Sequence, residues 1–131
     1  MKKVLHYLAT FLFTIGIDLI WINFVILSMY QEALSGILRT NTIIWSAVFA
    51  WILIPLGIVL FTIPKSKTVK QSLVYGALYG LILYGVYDFT NYSILSPYTL
   101  KMTLADIAWG TFLCSISSLF SWKIKKIIMK S

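Results

Sequence analysis

A chain of 131 residues has the length of one ordinary domain, but 60% of this one is hydrophobic and only 11% is charged. That is far from the composition of soluble proteins, and a soluble fold of this size cannot cover so much apolar surface. The formal charge of +7 does not point to nucleic acid, because the basic residues lie between apolar runs, where they face anionic lipid head groups.

Apolar stretches of about 18 or more residues read as spanning helices, since roughly 20 residues at 1.5 Å each cross the hydrocarbon core. Four such spans are expected, at about 4–27, 43–63, 72–95 and 104–122, and together they make residues 1–131 a single four-helix transmembrane domain. The first follows MKK. It is too long for a secretory signal, contains Asp18 and lacks a small-residue cleavage site, so it is expected to remain as a span. His6, the single histidine, stands near its start, where an interfacial role is expected. In the second span, Pro55 lacks the N–H that would pair one carbonyl and should loosen a turn. Trp45 at the start of that span and Trp122 at the end of the fourth suit the aromatic belts of a bilayer. Pro64 and Pro97 stand where the second and third helices should stop.

The third span carries Gly76 and Gly80 at GxxxG spacing, with Ala77 beside them. Small residues let helix backbones approach closely where lipid gives no hydrophobic drive to associate. Spacing alone leaves open whether that contact lies within the chain or joins copies into a homo-oligomer. The fourth span holds the single cysteine, Cys114, expected to be a small packing residue. One cysteine and one histidine provide no disulfide framework and no metal-ligand cluster. No metal, cofactor or catalytic residue is expected.

The basic residues set the orientation. Lys2, Lys3, Lys65, Lys67, Lys70, Lys123, Lys125, Lys126 and Lys130 fall on one side of an up-down arrangement, and only Arg39 and Lys101 on the other. That asymmetry is the positive-inside pattern and puts both termini in the cytoplasm. The expected architecture is an all-α up-down bundle of four transmembrane helices.

Three of the four acids, Asp18, Asp88 and Asp106, lie in or beside the spans. An aspartate at a helix centre costs about 2.5 to 3.5 kcal/mol on insertion scales, so such residues face a bundle interior or a wet cavity and are candidate functional groups. Rise per residue puts Asp18 roughly 14 Å and Asp88 roughly 10 Å below the outer ends of their spans, with Asp106 at the outer start of the fourth. All three then share the half of the bundle away from the lysines, as a polar pocket open outward. Neighbours three or four residues away join them: Thr14 and Trp21 beside Asp18, Tyr84 and Asn91 beside Asp88, Trp109 and Gly110 beside Asp106. Such side chains hydrogen-bond a carboxyl or a ligand and offer flat surfaces to an apolar body. The expected ligand-binding set is Asp18, Trp21, Tyr84, Asp88, Asn91, Asp106 and Trp109. No cation is expected at that depth, so one or more of the acids should hold a proton at neutral pH. Each acid also has a structural reading: Asp106 follows Thr103 in a capping-box-like start, and Asp18 and Asp88 can serve as polar glue between helices.

The segments DLIWI from Asp18, YDFTN from Tyr87 and DIAWG from Asp106 resemble signature segments of a family of small bacterial membrane proteins, domain of unknown function 2177. The similarity covers nearly the whole chain. It departs at Ile22, where the family favours leucine, and near Pro97 and Tyr98, where it favours tryptophan. The resemblance implies a multi-pass protein of the bacterial inner membrane and supports treating the three acids as one site. It implies no activity. Three functions remain open on these residues: binding or transport of a small amphiphilic or cationic molecule or a lipid head group, a structural or accessory membrane subunit, or a lipid-modifying enzyme. The last would lack a nucleophile–base pair, a metal cluster and a phosphate loop.

Overall fold

A computed structural model describes residues 1–130. Four helices account for most of them: α1 (Lys2–Leu34), α2 (Ile44–Thr62), α3 (Val69–Ile94) and α4 (Leu100–Lys130), each long and apolar enough to cross a membrane. There is no strand among the described residues. Both α1 and α4 outrun their apolar stretches. The extensions YQEAL and KIKKIIMK are composed mostly of good helix formers, and nothing in them breaks the helix. The starts of α3 and α4 are capped by threonine hydroxyls: Thr68 accepts from the Gln71 N–H and Thr99 from the Met102 N–H, each at 3.2 Å.

The central helix is α4. Within its most apolar window 44% of residues are buried, against 22% or less in the other three, so α4 is the helix on which the others pack. Its most extensive partner is α3, followed by α1, while α2 leans on α1 and reaches α3 and α4 chiefly through its last turns, Ile58–Thr62.

Glycine explains how close α3 comes. A methyl group on Gly76 would run into the Cys114 carbonyl oxygen and Ser118 Cβ, and one on Gly80 into the Gly110 carbonyl and Cys114 Cβ. The GxxxG ridge thus lies against a matching row of small residues on α4, spaced one turn apart. Both glycines of the ridge make this contact within the chain. Cys114 is fully buried in this contact with a free thiol, in keeping with a packing role.

The α1–α4 seam is polar. His6, Thr10, Thr14 and Asp18 recur every fourth residue as the buried stripe of α1, and Ser121 of α4 is buried against it. His6 Nε2 lies 2.8 Å from Ser121 Oγ and 3.0 Å from the Ser121 carbonyl oxygen. The Thr10 hydroxyl lies 2.9 Å from the same Ser121 hydroxyl. The interfacial role expected of His6 is therefore corrected: it is 3% exposed and belongs to helix packing, because the antiparallel register sets it against Ser121 and not against the head groups. Beside this seam the rings of Phe13 and Phe120 stack at 4.1 Å.

Helix α2 continues through Pro55, and the loosening falls just after it. The turn Ile58–Thr62 is widened to a π-helical one, with the Ile63 N–H reaching back to the Ile58 carbonyl at 3.1 Å. Tyrosines from neighbouring helices take carbonyls near the proline: Tyr7 donates to Ile52 at 3.0 Å and Tyr79 to Ile54 at 3.4 Å. Gly57 makes room for the Tyr79 ring, which a Cβ there would strike. At the lysine-rich end, Trp122 donates to the Ser66 carbonyl at 3.0 Å while Lys126 Nζ lies 3.4 Å above its ring. Trp45, at the other end, is exposed.

Candidate functional site

Two copies of one short pattern, Asp-x-x-Trp, build the centre of the site: Asp18 with Trp21 on α1 and Asp106 with Trp109 on α4. Residues three apart share a helix face, so each aspartate and its tryptophan look the same way. The two helices are antiparallel, and the register that sets His6 against Ser121 brings each aspartate opposite the other helix's indole. Trp109 Nε1 donates to Asp18 Oδ1 at 2.9 Å, and Trp21 Nε1 donates to Asp106 Oδ1 at 3.0 Å. The two indoles stack with centroids 4.8 Å apart and planes 4° from parallel. The result is a reciprocal clasp in which each buried carboxyl has one oxygen fixed by a neutral donor.

The clasp forms one wall of a cavity of about 330 Å³, within the usual range for ligand pockets. Asp18 and Asp106 supply its carboxyls. Trp51, Leu53 and Ile54 of α2 and Tyr79, Leu83, Tyr84 and Tyr87 of α3 supply most of the remaining surface. Trp51 lines the cavity together with Asp18. Asp106 is within electrostatic range of both Asp88 and Asp18.

Asp88 stands behind this cavity and does not line it. It is fully buried, with Oδ1 accepting from the Tyr98 hydroxyl and Oδ2 without a partner. The Tyr98 hydroxyl in turn lies 3.3 Å from that of Tyr30. Tyr98 sits in the loop between α3 and α4, and burial, reinforced by its bond to Asp88, pushes its hydroxyl above the ordinary tyrosine range. It therefore stays a donor. Leu34, Tyr98 and Met102 close over this group as a small apolar cluster, with Tyr30 and Leu95 packed against it.

Of the seven residues expected at the site, Asp18, Tyr84 and Asp106 line the cavity and Trp21 and Trp109 hold its carboxyls. Asp88 belongs to the adjoining buried group. Asn91 does not line the cavity; it borders a shallow outer hollow of α3 with Ile82, Val86 and Thr90, which shares Leu83 and Tyr87 with the cavity. The capping role weighed for Asp106 does not occur either. Helix α4 begins at Leu100 on the Thr99 cap, which leaves Asp106 in the second turn with no acid in the first. Trp51, Tyr79, Tyr87 and Tyr98 were not foreseen. Tyr87 is three residues from Tyr84, so helical spacing carries a signal for it. Trp51 and Tyr98 come from other elements, and no local spacing relates them to an aspartate.

Chemically, carboxyls facing aromatic rings in a low-dielectric space attract a cation from two directions, through charge and through the ring faces. No group of three or more histidine, cysteine, aspartate or glutamate side chains suited to a metal ion occurs among the described residues. His6 and Ser121 are within reach of each other, but the hydroxyl is fully buried and shared with Thr10, inside a packed seam.

Comparison with curated proteins and with solved structures finds no match. The family described as a predicted membrane protein, DUF2177, matches residues 3–123. That span contains all four helices up to the last turns of α4, both halves of the clasp and the Asp88–Tyr98 pair, and the chain belongs to the DUF2177 family of predicted membrane proteins.

Proposed function

We propose that this membrane protein binds, and in its membrane carries, a small cation with an apolar body. The observation that supports the reading is the pairing of two carboxyls, each oriented by an indole from the opposite helix, with a cavity otherwise walled by aromatic and aliphatic side chains. Indole N–H groups hold the carboxyls in place without neutralising them, as a lysine or arginine would. A cation entering the cavity then meets preset acceptors, and the aromatic walls take its apolar part. In this proposal the lysine-rich ends face the cytoplasm and the membrane is the bacterial inner membrane.

The test is a titration of the purified protein with benzyltrimethylammonium, followed by tryptophan fluorescence. Wild-type protein is expected to show saturable quenching. Asp106→Asn should bind on the order of tenfold more weakly, a loss of about 1.4 kcal/mol, and the Asp18→Asn/Asp106→Asn double variant should not bind measurably. Equal affinity in the double variant would sink the reading. It would favour the second one, an accessory subunit, for which the clasp is a helix-packing device that joins α1 to α4.

A further inference from the structure

Resting on that reading of the cavity, we infer that its ligand enters sideways from the lipid, between α2 and α3, and is a long-chain amine without a phosphate. Three boundaries lead there. Towards the acidic end, the outermost lining residues are Ala50, Tyr87 and Asp106, roughly 9 to 11 Å inside the ends of their helices at 1.5 Å per residue. No loop residue lines the cavity, and at that end the buried Leu34–Tyr98–Met102 cluster packs α1, the α3–α4 loop and α4 together. Towards the lysine-rich end, the bond from Tyr79 to the Ile54 carbonyl, the contact of Tyr79 with Gly57 and the buried cluster of Ile58, Ile63 and Cys114 shut the space.

The third side is open. Helices α2 and α3 meet chiefly at Ile58–Thr62 and diverge beyond it. Four lining residues remain exposed, Ala50 and Leu53 on α2 and Leu83 and Tyr87 on α3, on helix faces that continue as Phe49, Ile52, Ile82 and Val86, all exposed. At this depth the surroundings are hydrocarbon, since the core of a bilayer is about 30 Å thick. An amphiphile already in the bilayer lies level with that opening.

Charge narrows the class. The cavity offers two carboxyls and is lined by no lysine or arginine, so an ammonium group is favoured and a phosphate beside it would meet like charge with nothing to neutralise it. The volume of about 330 Å³ takes a head and its first methylenes, and the rest of the chain trails through the slot into lipid.

The route is tested in nanodiscs with the Leu53→Cys/Leu83→Cys variant, joined by a flexible bis-maleimide, with dodecyltrimethylammonium as probe and the unlinked variant as its baseline. Linking is expected to slow association at least tenfold, and an unchanged rate overturns lateral entry. Leu83→Trp, which narrows the same slot and leaves the carboxyls untouched, should slow entry in the same direction; an unaltered rate there counts against the route as well. The class is tested on wild-type protein with dodecyl phosphate and lysophosphatidylethanolamine, neither of which should compete with the probe. Competition by either at the affinity of the amine overturns the phosphate-free assignment. Wild-type protein that binds neither dodecyltrimethylammonium nor benzyltrimethylammonium fails at the earlier reading of the cavity and not at the route.

Discussion

Asp88 has a carboxyl that solvent does not reach, one oxygen bonded to Tyr98 and the other without a partner. A buried polar group left unsatisfied costs about 1 to 3 kcal/mol, so the single bond from Tyr98 carries weight. Tyr98→Phe removes it and keeps the ring. Thermal melting in detergent should show a loss of about 1 to 3 kcal/mol, with most of the helical signal intact below the transition. Asp88→Asn keeps an acceptor for Tyr98 and should melt near wild type. Because Asp88 lies outside the cavity lining, that variant should also retain cation binding. Loss of binding at unchanged melting temperature would return Asp88 to the ligand site. The aspartate in YDFTN was conspicuous in the sequence, but its partner ten residues on was not. A loop residue has no fixed angular relation to a helix face, and only the path of the α3–α4 connection brings Tyr98 back over Asp88.

At the scale of helices, i, i+3 spacing identified the right tryptophans beside Asp18 and Asp106 but not their partners. Each indole bonds the aspartate of the other helix, since side chains on one face project towards whatever packs against that face. The glycines separate along the same line. Gly80 lies where a Cβ would strike the Gly110 carbonyl of α4, whereas Gly85 has nothing within 4 Å of the same atom. Gly80→Ala must push α3 off α4, at a cost of about 1 to 3 kcal/mol for overpacking. Gly85→Ala should be neutral or raise stability by about 0.5 to 1 kcal/mol, because glycine is the weaker helix former. Detergent melting of the two variants side by side checks the contact. Equal behaviour would mean that α3 does not lie this close to α4.

For the molecule as a whole, the antiparallel order of the four helices gathers the termini and the α2–α3 connection at one end, and with them nine of the eleven basic residues. Such an excess sets orientation during insertion. A reporter fused after Lys130 is expected to be cytoplasmic, and one inserted in the loop of residues 35–43 external. An external C-terminus, or a mixed population, would reverse the side to which the acidic half of the bundle belongs. It would leave the lateral opening unaffected, because that opening lies between helices and not at either end.

Composition and apolar length by themselves determined that the chain is an all-helical membrane protein with four candidate spans, because a bilayer admits few other solutions for a backbone that must satisfy its own hydrogen bonds. The cost of a carboxyl in hydrocarbon likewise marked Asp18, Asp88 and Asp106 before any fold was known. Which of them meet was decided by tertiary packing. The small residues Gly76, Gly80, Gly110 and Cys114 draw α3 onto α4, the polar stripe of α1 fixes its register on α4, and α2, joined to α3 and α4 mainly near Ile58–Thr62, leaves the gap that becomes the cavity. Helical periodicity orients a side chain about its own axis and carries no information about the distance to the next helix. The clasp, the contribution of Trp51 and the separation of Asp88 from the cavity all depend on that distance.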